Sequence, residues 1–454
     1  MPKISIIMPS LNVAAYIHEC MDSVINQTLR DIEILCVDAG STDGTFEILE
    51  EYSARDSRIR LVQSDKKSYG YQINLGMDMA SGEYLGIVET DDCIESDMYE
   101  VLYKAAVDHD LDYVKSGFYT MVTPDDGERY LLESPLGGVF NQVISSQYFL
   151  EGEQSPDIFI WNGIYRLSFL RKFHIRLNES PGAAFQDCGF RYLVDMNLGR
   201  GMFLERFLYR YRRDNADSST YNPKFVDFNL AECKFIRKRM EEDGITERAK
   251  WAFMARETVM MALSPYTTFR EYKQPNAAIL SALDAFREIM IKDKELGLLK
   301  LDEMQQEKWV EMRLFTEKPE AYEDYIGIKA KAQYDSYGNF IRDMAAKKQI
   351  VVFCTGKAAK FALCFMKMNH LDNIVAVCDN NQEKWGSTYK GYEILPPLEA
   401  VRQFPQAHYL IANRICPQTI EEQLNGYGIR KEQISLYKLP LHAFRSTNLL
   451  MREA

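Results

Sequence analysis

The chain has 454 residues, enough for two or three domains, and its 46% hydrophobic and 26% charged residues are those of a folded protein, not a disordered one. Its 54 basic and 66 acidic side chains leave a formal charge of −12, which disfavours nonspecific nucleic-acid binding and unaided adsorption to an anionic membrane. A phosphate site is still allowed, because it needs only local positive charge or a metal.

Nine cysteines are scattered without a Cys-x-x-Cys pair or a zinc-ligand spacing. Several sit in apolar runs, where a thiol behaves as a small hydrophobe, so the setting expected is a reducing cytoplasm. The amino terminus opens almost directly on a strand, Ile4-Ser5-Ile6-Ile7-Met8, and reads as having no signal peptide. No uncharged apolar run is long enough to span a bilayer.

Residues 3 to about 120 alternate strand and helix. Strands are predicted at Ile4–Met8, Glu33–Val37, Ile59–Val62 and Tyr84–Val88, and helices at Ala14–Gln27, Thr45–Ala54 and Gln72–Ala80. This is the βαβ rhythm of a parallel, nucleotide-binding sheet. Two acidic turns follow strands in this stretch, Val37-Asp38-Ala39-Gly40-Ser41-Thr42-Asp43-Gly44-Thr45 and Glu89-Thr90-Asp91-Asp92. Ligands of open α/β sheets bind beyond the carboxyl ends of the strands. Carboxylates gathered there need a cation or hydrogen-bond donors. A divalent metal carrying a diphosphate satisfies that need, which points to a sugar-nucleotide enzyme. The competing readings are a well-capped βα loop for the first turn and a solvated acidic loop for the second.

From about 120 to 222 the pattern is irregular and rich in rings, including Tyr119, Phe140, Phe159, Trp161, Tyr165, Phe169, Phe173, Phe185 and Phe190. Completion of the first domain's core explains most of them, and acceptor contacts are the other reading. Residues 223 to 345 are charged and helical in period, as in Phe228–Glu241 and Glu247–Leu263, with breaks expected at Pro265, Pro275 and Gly297. A helical linker or packing region is the reading for this stretch. After Lys348 a second βαβ rhythm begins, with strands Ile350–Cys354, Ile374–Cys378 and Tyr409–Ala412 and a helix Ala358–Met368. Its Cys354-Thr355-Gly356-Lys357-Ala358-Ala359-Lys360 turn is a degraded G-x-G-x-x-G, and Asp379 stands where a ribose-binding acid would sit. With the first glycine lost, a scaffold or self-association role is favoured over dinucleotide binding. The six histidines do not cluster.

The segments Ser5-Ile6-Ile7-Met8-Pro9-Ser10-Leu11-Asn12, Ser23-Val24-Ile25-Asn26-Gln27-Thr28, the Val37 to Thr45 turn, and Asn74-Leu75-Gly76 through Ala80-Ser81-Gly82-Glu83-Tyr84 together carry a resemblance. Over residues 3 to 220 the chain resembles the family 2 glycosyltransferases, inverting enzymes of the GT-A fold that use nucleotide-diphosphate sugars. The resemblance implies that Pro9, Ser10, Leu11 and Asp38 line the nucleobase pocket. It puts Glu89 and Asp91 at the D-x-D positions, with Asp91 or Asp92 on Mn²⁺ or Mg²⁺ and the other near the ribose. Phe185-Gln186-Asp187-Cys188-Gly189-Phe190 looks like the family's general-base element, with Asp187 as the base and a helix N-cap as its alternative. Tyr209-Arg210-Tyr211-Arg212-Arg213-Asp214, then Ser218-Ser219, resembles the elements that close over the diphosphate, Arg212 being the best match. The chain departs from the family pattern at Ala39, Glu89 and Gln186, where Asp, Asp and Glu are frequent. The carboxy-terminal run Cys378-Asp379-Asn380-Asn381 through Gly391-Tyr392 resembles Rossmann-like domains appended to some bacterial sugar-modifying enzymes.

The expectation is therefore an α/β protein in three parts: a GT-A-type nucleotide-sugar-binding domain (1–222), a helical middle region (223–345) and a small Rossmann-like α/β domain (346–454). The expected activity is metal-dependent, inverting hexosyl or N-acetylhexosaminyl transfer from a UDP-sugar to a glycan or lipid-linked acceptor, in bacterial surface polysaccharide synthesis. The expected location is the cytoplasm, with room for peripheral association at the inner face of the membrane and for self-association through the carboxy-terminal domain. A sugar nucleotidyltransferase is disfavoured, because Pro9 to Ala15 holds neither glycine nor a cation for a triphosphate. The other alternative is a non-catalytic nucleotide-binding or scaffolding protein with a decayed transferase domain.

Overall fold

In the computed structural model, residues 2–125, 127–134, 136, 138–151, 159–215, 224–270, 273–301 and 304–439 are described. The chain divides into two compact units, the first comprising Met1–Thr120, Glu133–Thr267 and Gln274–Tyr325, the second Met121–Leu132, Thr268–Lys273 and Ile326–Ala454.

The elements run β1 (Ile4–Ser10), α1 (Ile17–Ile25), β2 (Ile32–Asp38), α2 (Thr45–Arg55), β3 (Ile59–Gln63), α3 (Tyr69–Met79), β4 (Tyr84–Ile87), β5 (Cys93–Ile94), α4 (Met98–Asp108), β6 (Tyr113–Val122), β7 (Tyr130–Ser134), β8 (Val143–Ile144), α5 (Ser146–Leu150), β9 (Gly163–Arg166), α6 (Leu167–Lys172), α7 (Gln186–Asn197) and β10 (Gly201–Arg212). Their sheet is ordered β3-β2-β1-β4-β9-β6-β10-β5, with β7 beside β6 and β8 beside β10. Strands β3, β2, β1 and β4 pair in parallel, and the direction reverses at β9, antiparallel to both β4 and β6. Ser10 pairs with Asp38 and Ile7 with Ile87, so the carboxyl ends of β1, β2 and β4 share one edge. All of β1 is buried, as a strand covered on both faces by crossover helices must be.

The predicted strands and helices of residues 3–120 are present. Helix α1 starts at Ile17, later than its apolar pattern suggests, because the N–H groups of Asn12, Val13 and Ala14 are taken by Ser41 Oγ, Thr45 Oγ1 and Asp43 Oδ2. Helix α3 is capped by Ser68, whose hydroxyl accepts from the Tyr71 N–H. It lies tight on β1: a Cβ at Gly76 would sit 2.8 Å from Ile7 Cγ2. Gln72 Nε2, buried beneath the sheet edge, donates to Ser10 O at 3.0 Å and to Val37 O at 2.6 Å, pinning the ends of β1 and β2 together.

The helices α8 (Phe225–Glu242), α9 (Arg248–Arg270), α10 (Ala277–Glu295), α11 (Gln306–Glu317) and α12 (Pro319–Ala345) follow. Ion pairs fasten them: Arg191 on α7 to Glu257 on α9 at 3.1 Å, and Arg237 on α8 to Asp293 on α10. The break expected at Pro265 does not occur; α9 passes through it. Its lost backbone bond costs about 3 kcal/mol, which burial of the same turn offsets, Leu263 and Tyr266 being fully enclosed. No described helix is long and apolar enough to cross a membrane.

The second unit holds β11 (Ile350–Phe353), α13 (Lys357–Met368), β12 (Ile374–Cys378), β13 (Thr388–Tyr389), β14 (Tyr392–Leu395), α14 (Pro397–Gln403), β15 (His408–Ile411), α15 (Pro417–Gly426) and β16 (Ile434–Leu436). Its sheet is ordered β13-β14-β12-β11-β15-β16 and is parallel except for β13.

Replacing Gln72 by Ala removes a buried donor from the Val37 and Ser10 carbonyl oxygens, the latter keeping the Ala39 N–H. The expected loss is about 1–3 kcal/mol of unfolding free energy, read as an earlier urea midpoint for the first unit. A midpoint equal to the wild type would show that the strand ends do not depend on Gln72.

Candidate active site

The floor of the site is the edge where β1 and β2 end. Asp38 is fully enclosed there: Oδ2 accepts the N–H groups of Gly40 and Ser41 at 2.8 and 2.9 Å, and Oδ1 accepts the hydroxyls of Ser41 and, at 3.4 Å, Ser10. Asn12 adopts φ +55° and its Oδ1 accepts the Thr42 N–H at 2.8 Å. Asp43 Oδ1 accepts from Thr45 at the start of α2, after Gly44 at φ +97°. The two loops are thus zipped by side chains, and Asp38 forms the turn. Pro9 and Ser10 are buried with β1, and Leu11, 39% exposed, is the one of the four expected nucleobase residues whose side chain reaches the surface.

The acidic turn leaves β4 beside this floor, held by the Thr90 hydroxyl donating to Pro9 O at 2.8 Å. Its two aspartates face opposite ways. Asp92 is buried, with Oδ1 accepting the Arg212 N–H at 2.7 Å and Oδ2 the Tyr209 hydroxyl at 2.8 Å. Burial, with the neighbouring Asp91 charge, pushes its carboxyl well above the usual range. Asp91 is half-buried and accepts from Asn215 Nδ2 at 2.7 Å. The metal role expected of either residue therefore has an inward-facing Asp92 against it. Arg212, expected over a diphosphate, is buried too: its guanidinium donates to Asp91 O and Glu19 Oε2, both at 2.7 Å, and lies 4.8 Å above the Tyr16 ring. It braces the turn against α1. Ser218 and Ser219 lie outside the described residues.

Asp187 sits in the first turn of α7. It is not the N-cap; that position is Phe185, at φ +66°. Gln186, where Glu is frequent, is buried and ties the preceding loop, accepting the Ala184 N–H at 2.7 Å and donating to Ser180 and Gly182. That loop is stitched to α3: the Gly182 N–H donates to Lys67 O and the Tyr69 N–H to Gly182 O, each at 2.9 Å. Tyr69 in turn donates its hydroxyl to Glu89. Burial pushes Asp187 up to about 6, against the pull of the Cys188 N–H and Arg191. Burial pushes Glu89 up to about 8, with the charges of Asp91 and Asp187 adding. The fold has brought Glu89, Asp91 and Asp187 into one electrostatic neighbourhood around Tyr69. Tyr69 and Asn215 were not predicted; Tyr209 opens the segment expected over the diphosphate and instead holds Asp92.

Residues 5–174 match the family model described as glycosyl transferase family 2, and residues 346–435 match one described as C2185-like, N-terminal. Residues 5–174 are thus similar to glycosyltransferase family 2. The chain is 31% identical over 230 residues to the uncharacterized glycosyltransferase EpsJ of Bacillus subtilis, covering 49% of this chain and 64% of that protein. It is 29% identical over 231 residues to the glycosyltransferase GlyA of Streptococcus pneumoniae, covering 49% of this chain and 32% of that protein. The match thus spans less than two thirds of either relative. S. aureus TarS 1–349, solved in complex with UDP-GlcNAc, superposes with a TM-score of 0.56 at 17% identity over 74% of this chain and 92% of that one, which identifies the shared GT-A-type fold.

Beside the acidic turn stands an aromatic stack. Trp161 lies 4.1 Å from the Tyr209 ring and 4.5 Å from Phe159, with Phe118 and Tyr211 against it. Trp161 is buried, so the stack is mainly core, as the irregular segment's composition suggested. Among the described residues no three His, Cys, Asp or Glu side chains form a metal cage. A half-exposed Asp91 still fits a hard cation of the kind that takes one or two carboxylates and completes its shell from substrate phosphates and water.

The second unit has its own strand-end turn. Cys354, in place of the first motif glycine, takes φ +88°, and Asp379 Oδ2 accepts both the N–H and the hydroxyl of Thr355. The carboxylate expected on a ribose is spent on the turn.

Glu89 fixes a pH dependence. Its carboxyl rises from 4.5 to about 8 on folding, so between those values the native state holds a proton that the unfolded chain has lost. Stability must then fall as pH rises through that window. In metal-free protein, Glu89→Gln is expected to flatten the fall in melting temperature between about pH 5 and 8. An unchanged slope would place the Glu89 pKa near its ordinary value.

Proposed function

We propose that the amino-terminal domain is an inverting family 2 glycosyltransferase that moves a hexosyl or N-acetylhexosaminyl group from a UDP-sugar to a hydroxyl of a glycan or lipid-linked acceptor. The observation that carries this reading is that two carboxyls act on Glu89 from different elements, Asp187 of α7, raised to about 6, and the half-exposed Asp91 of the acidic turn. A base of that pKa is charged at neutral pH and still accepts a proton as one develops, which is what general-base catalysis needs. TarS, which shares the fold, was solved with UDP-GlcNAc, in line with a UDP-sugar donor.

In this reading Asp187 takes the acceptor hydroxyl proton. The acceptor oxygen forms its bond to the anomeric carbon as the bond to the diphosphate breaks, and the electron pair leaves with the diphosphate. Mn²⁺ or Mg²⁺ held by Asp91 would, when bound, neutralise charge on that leaving group. Asp92, Tyr209 and Arg212 hold Asp91 in place, and Asn215 orients its carboxylate. Leu11 and the zipped loops around Asp38 and Ser10 form the nucleobase end, with Pro9 supporting them from β1. Bacterial surface polysaccharide is the product class, made at the cytoplasmic side with peripheral attachment to the membrane. The Rossmann-like carboxy-terminal region (346–454) serves as scaffold or self-association domain, and 223–345 as a helical linker or packing region.

Two substitutions test the assignments. Asp187→Asn is expected to lower turnover by about 10²–10⁴-fold while donor affinity stays near wild type. In the wild type the turnover number should fall below about pH 6. Wild-type turnover in the Asn variant would remove Asp187 from the reaction. Asp91→Asn should abolish the Mn²⁺-dependent part of the thermal shift given by UDP. A shift that is equal with Mn²⁺ and with chelator would remove the metal from Asp91.

A further inference from the structure

Beneath the first turn of α7 lies a carboxyl to which no role has been given. Glu232 comes from the middle of α8 and is 1% exposed. Its Oε1 accepts from Asn178 Nδ2 at 2.8 Å. Its Oε2 lies against Gly189, two residues past Asp187, where a Cβ would sit 2.7 Å away. Asn178 is itself jammed against α3, its carbonyl 1.9 Å from the place of a Cβ on Gly70, the neighbour of Tyr69. Glu232 therefore ties the start of α7 to the loop that meets the site from the α3 side.

We propose that Glu232 is a positioning residue for Asp187, a buried wedge tied to Asn178 that fixes the first turn of α7. The proposal rests on the reading of Asp187 as the base. The charge on the two carboxyls can be followed without any substrate, so it fails or stands apart from turnover.

A buried carboxyl that feels the charge of another is harder to ionise. Burial pushes Glu232 up to about 8, and the Asp187 charge adds, while Asn178 and the Gly189 N–H pull the other way. Asp187 sits at about 6. Between these values the proton stays on Glu232 and the charge on Asp187. The groups facing the pair are Cys188 and Arg191 on α7, Glu257 on α9, and Tyr69 and Glu89 from α3 and the acidic turn. Arg191 favours the charge on Asp187, and that charge in turn raises Glu89. A carboxylate permanently charged at position 232 would push the Asp187 midpoint upward, out of the range useful to a base.

The test is a carboxyl ¹³C titration of the full chain without substrate, each signal assigned by its loss in the matching variant. In the wild type, Asp187 is expected to titrate near 6 and Glu232 near 8. Asp187→Asn should lower the Glu232 midpoint by removing its charged neighbour. Glu232→Gln, the neutral isostere, should leave the Asp187 midpoint in place, whereas Glu232→Ala, which opens the wedge to water, should drop it toward the ordinary carboxylate range. The proposal is overturned if Glu232 titrates as an ordinary carboxylate, if its midpoint ignores Asp187→Asn, or if the Gln and Ala variants move Asp187 alike. If Asp187→Asn retains turnover while these couplings hold, the reading of Asp187 fails and the wedge remains as a structural fact.

Discussion

The buried carboxyl of Asp92 is the joint on which the site depends. It stands at the end of the parallel half of the sheet and accepts from Tyr209 and Arg212 on β10, in the antiparallel half. Taking a carboxylate out of water costs several kcal/mol unless donors replace the lost solvation. Here a tyrosine hydroxyl and a backbone N–H do so, and the Tyr209 oxygen accepts the Glu89 N–H as well. The turn that carries Asp91 is therefore clamped on both sides before any ligand arrives. Such pre-organisation favours stabilisation of charge that develops at the site, since the protein need not reorganise when the charge appears.

Clamping the turn has an electrostatic consequence. Burial makes carboxyls reluctant to ionise, and the site gathers several: Glu89, Asp92, Asp187 and, beneath α7, Glu232. Their pKa values separate because their surroundings differ. Asp187 has a helix amino terminus and Arg191 on its side, so it ionises first; Glu232 and Glu89 have less compensation and keep their protons longer. The order of ionisation follows from which backbone N–H groups and cations reach each carboxyl, and it leaves Asp187 charged when its neighbours are not.

The parallel strands were legible because a strand buried on both faces reads as a nearly continuous apolar run, as Ile4–Met8, interrupted by Ser5, and Ile34–Val37 do. Acid at the strand ends was legible for the same reason: a charge directly after such a run must do something. Which of two adjacent aspartates turns inward was not legible. Asp91 and Asp92 are the same residue type in the same turn, and what separates them is Tyr209, Arg212 and Asn215, more than a hundred residues away. Asp38 shows the complementary limit. Three of its four donors come from Gly40 and Ser41 in its own turn and the fourth from Ser10 on β1, and nothing in residue type distinguishes such a turn-forming acid from a ligand-facing one. Glu232 was hidden by its periodic, charged helix, where a solvated face was the natural reading and burial came from packing on α7.

The second unit carries the same lesson to its strand ends. A glycine in the first position of a dinucleotide turn accepts positive φ without strain, whereas Cys354 holds φ +88° with a side chain, a conformation that costs about 1–3 kcal/mol and persists only when its surroundings impose it. The imposing contacts are visible: Asp379 takes the Thr355 N–H at 2.8 Å, Lys384 donates to the Thr355 hydroxyl at 2.8 Å, and Asn381 donates its N–H back to Asp379 at 2.8 Å. These groups satisfy one another across the crevice where an open α/β sheet meets its ligand. A nucleotide ribose would have to displace Thr355 from Asp379 and leave a strained turn without its anchor. The turn is built to hold itself, its carboxylate satisfied by Thr355 and Asn381 before any ligand arrives.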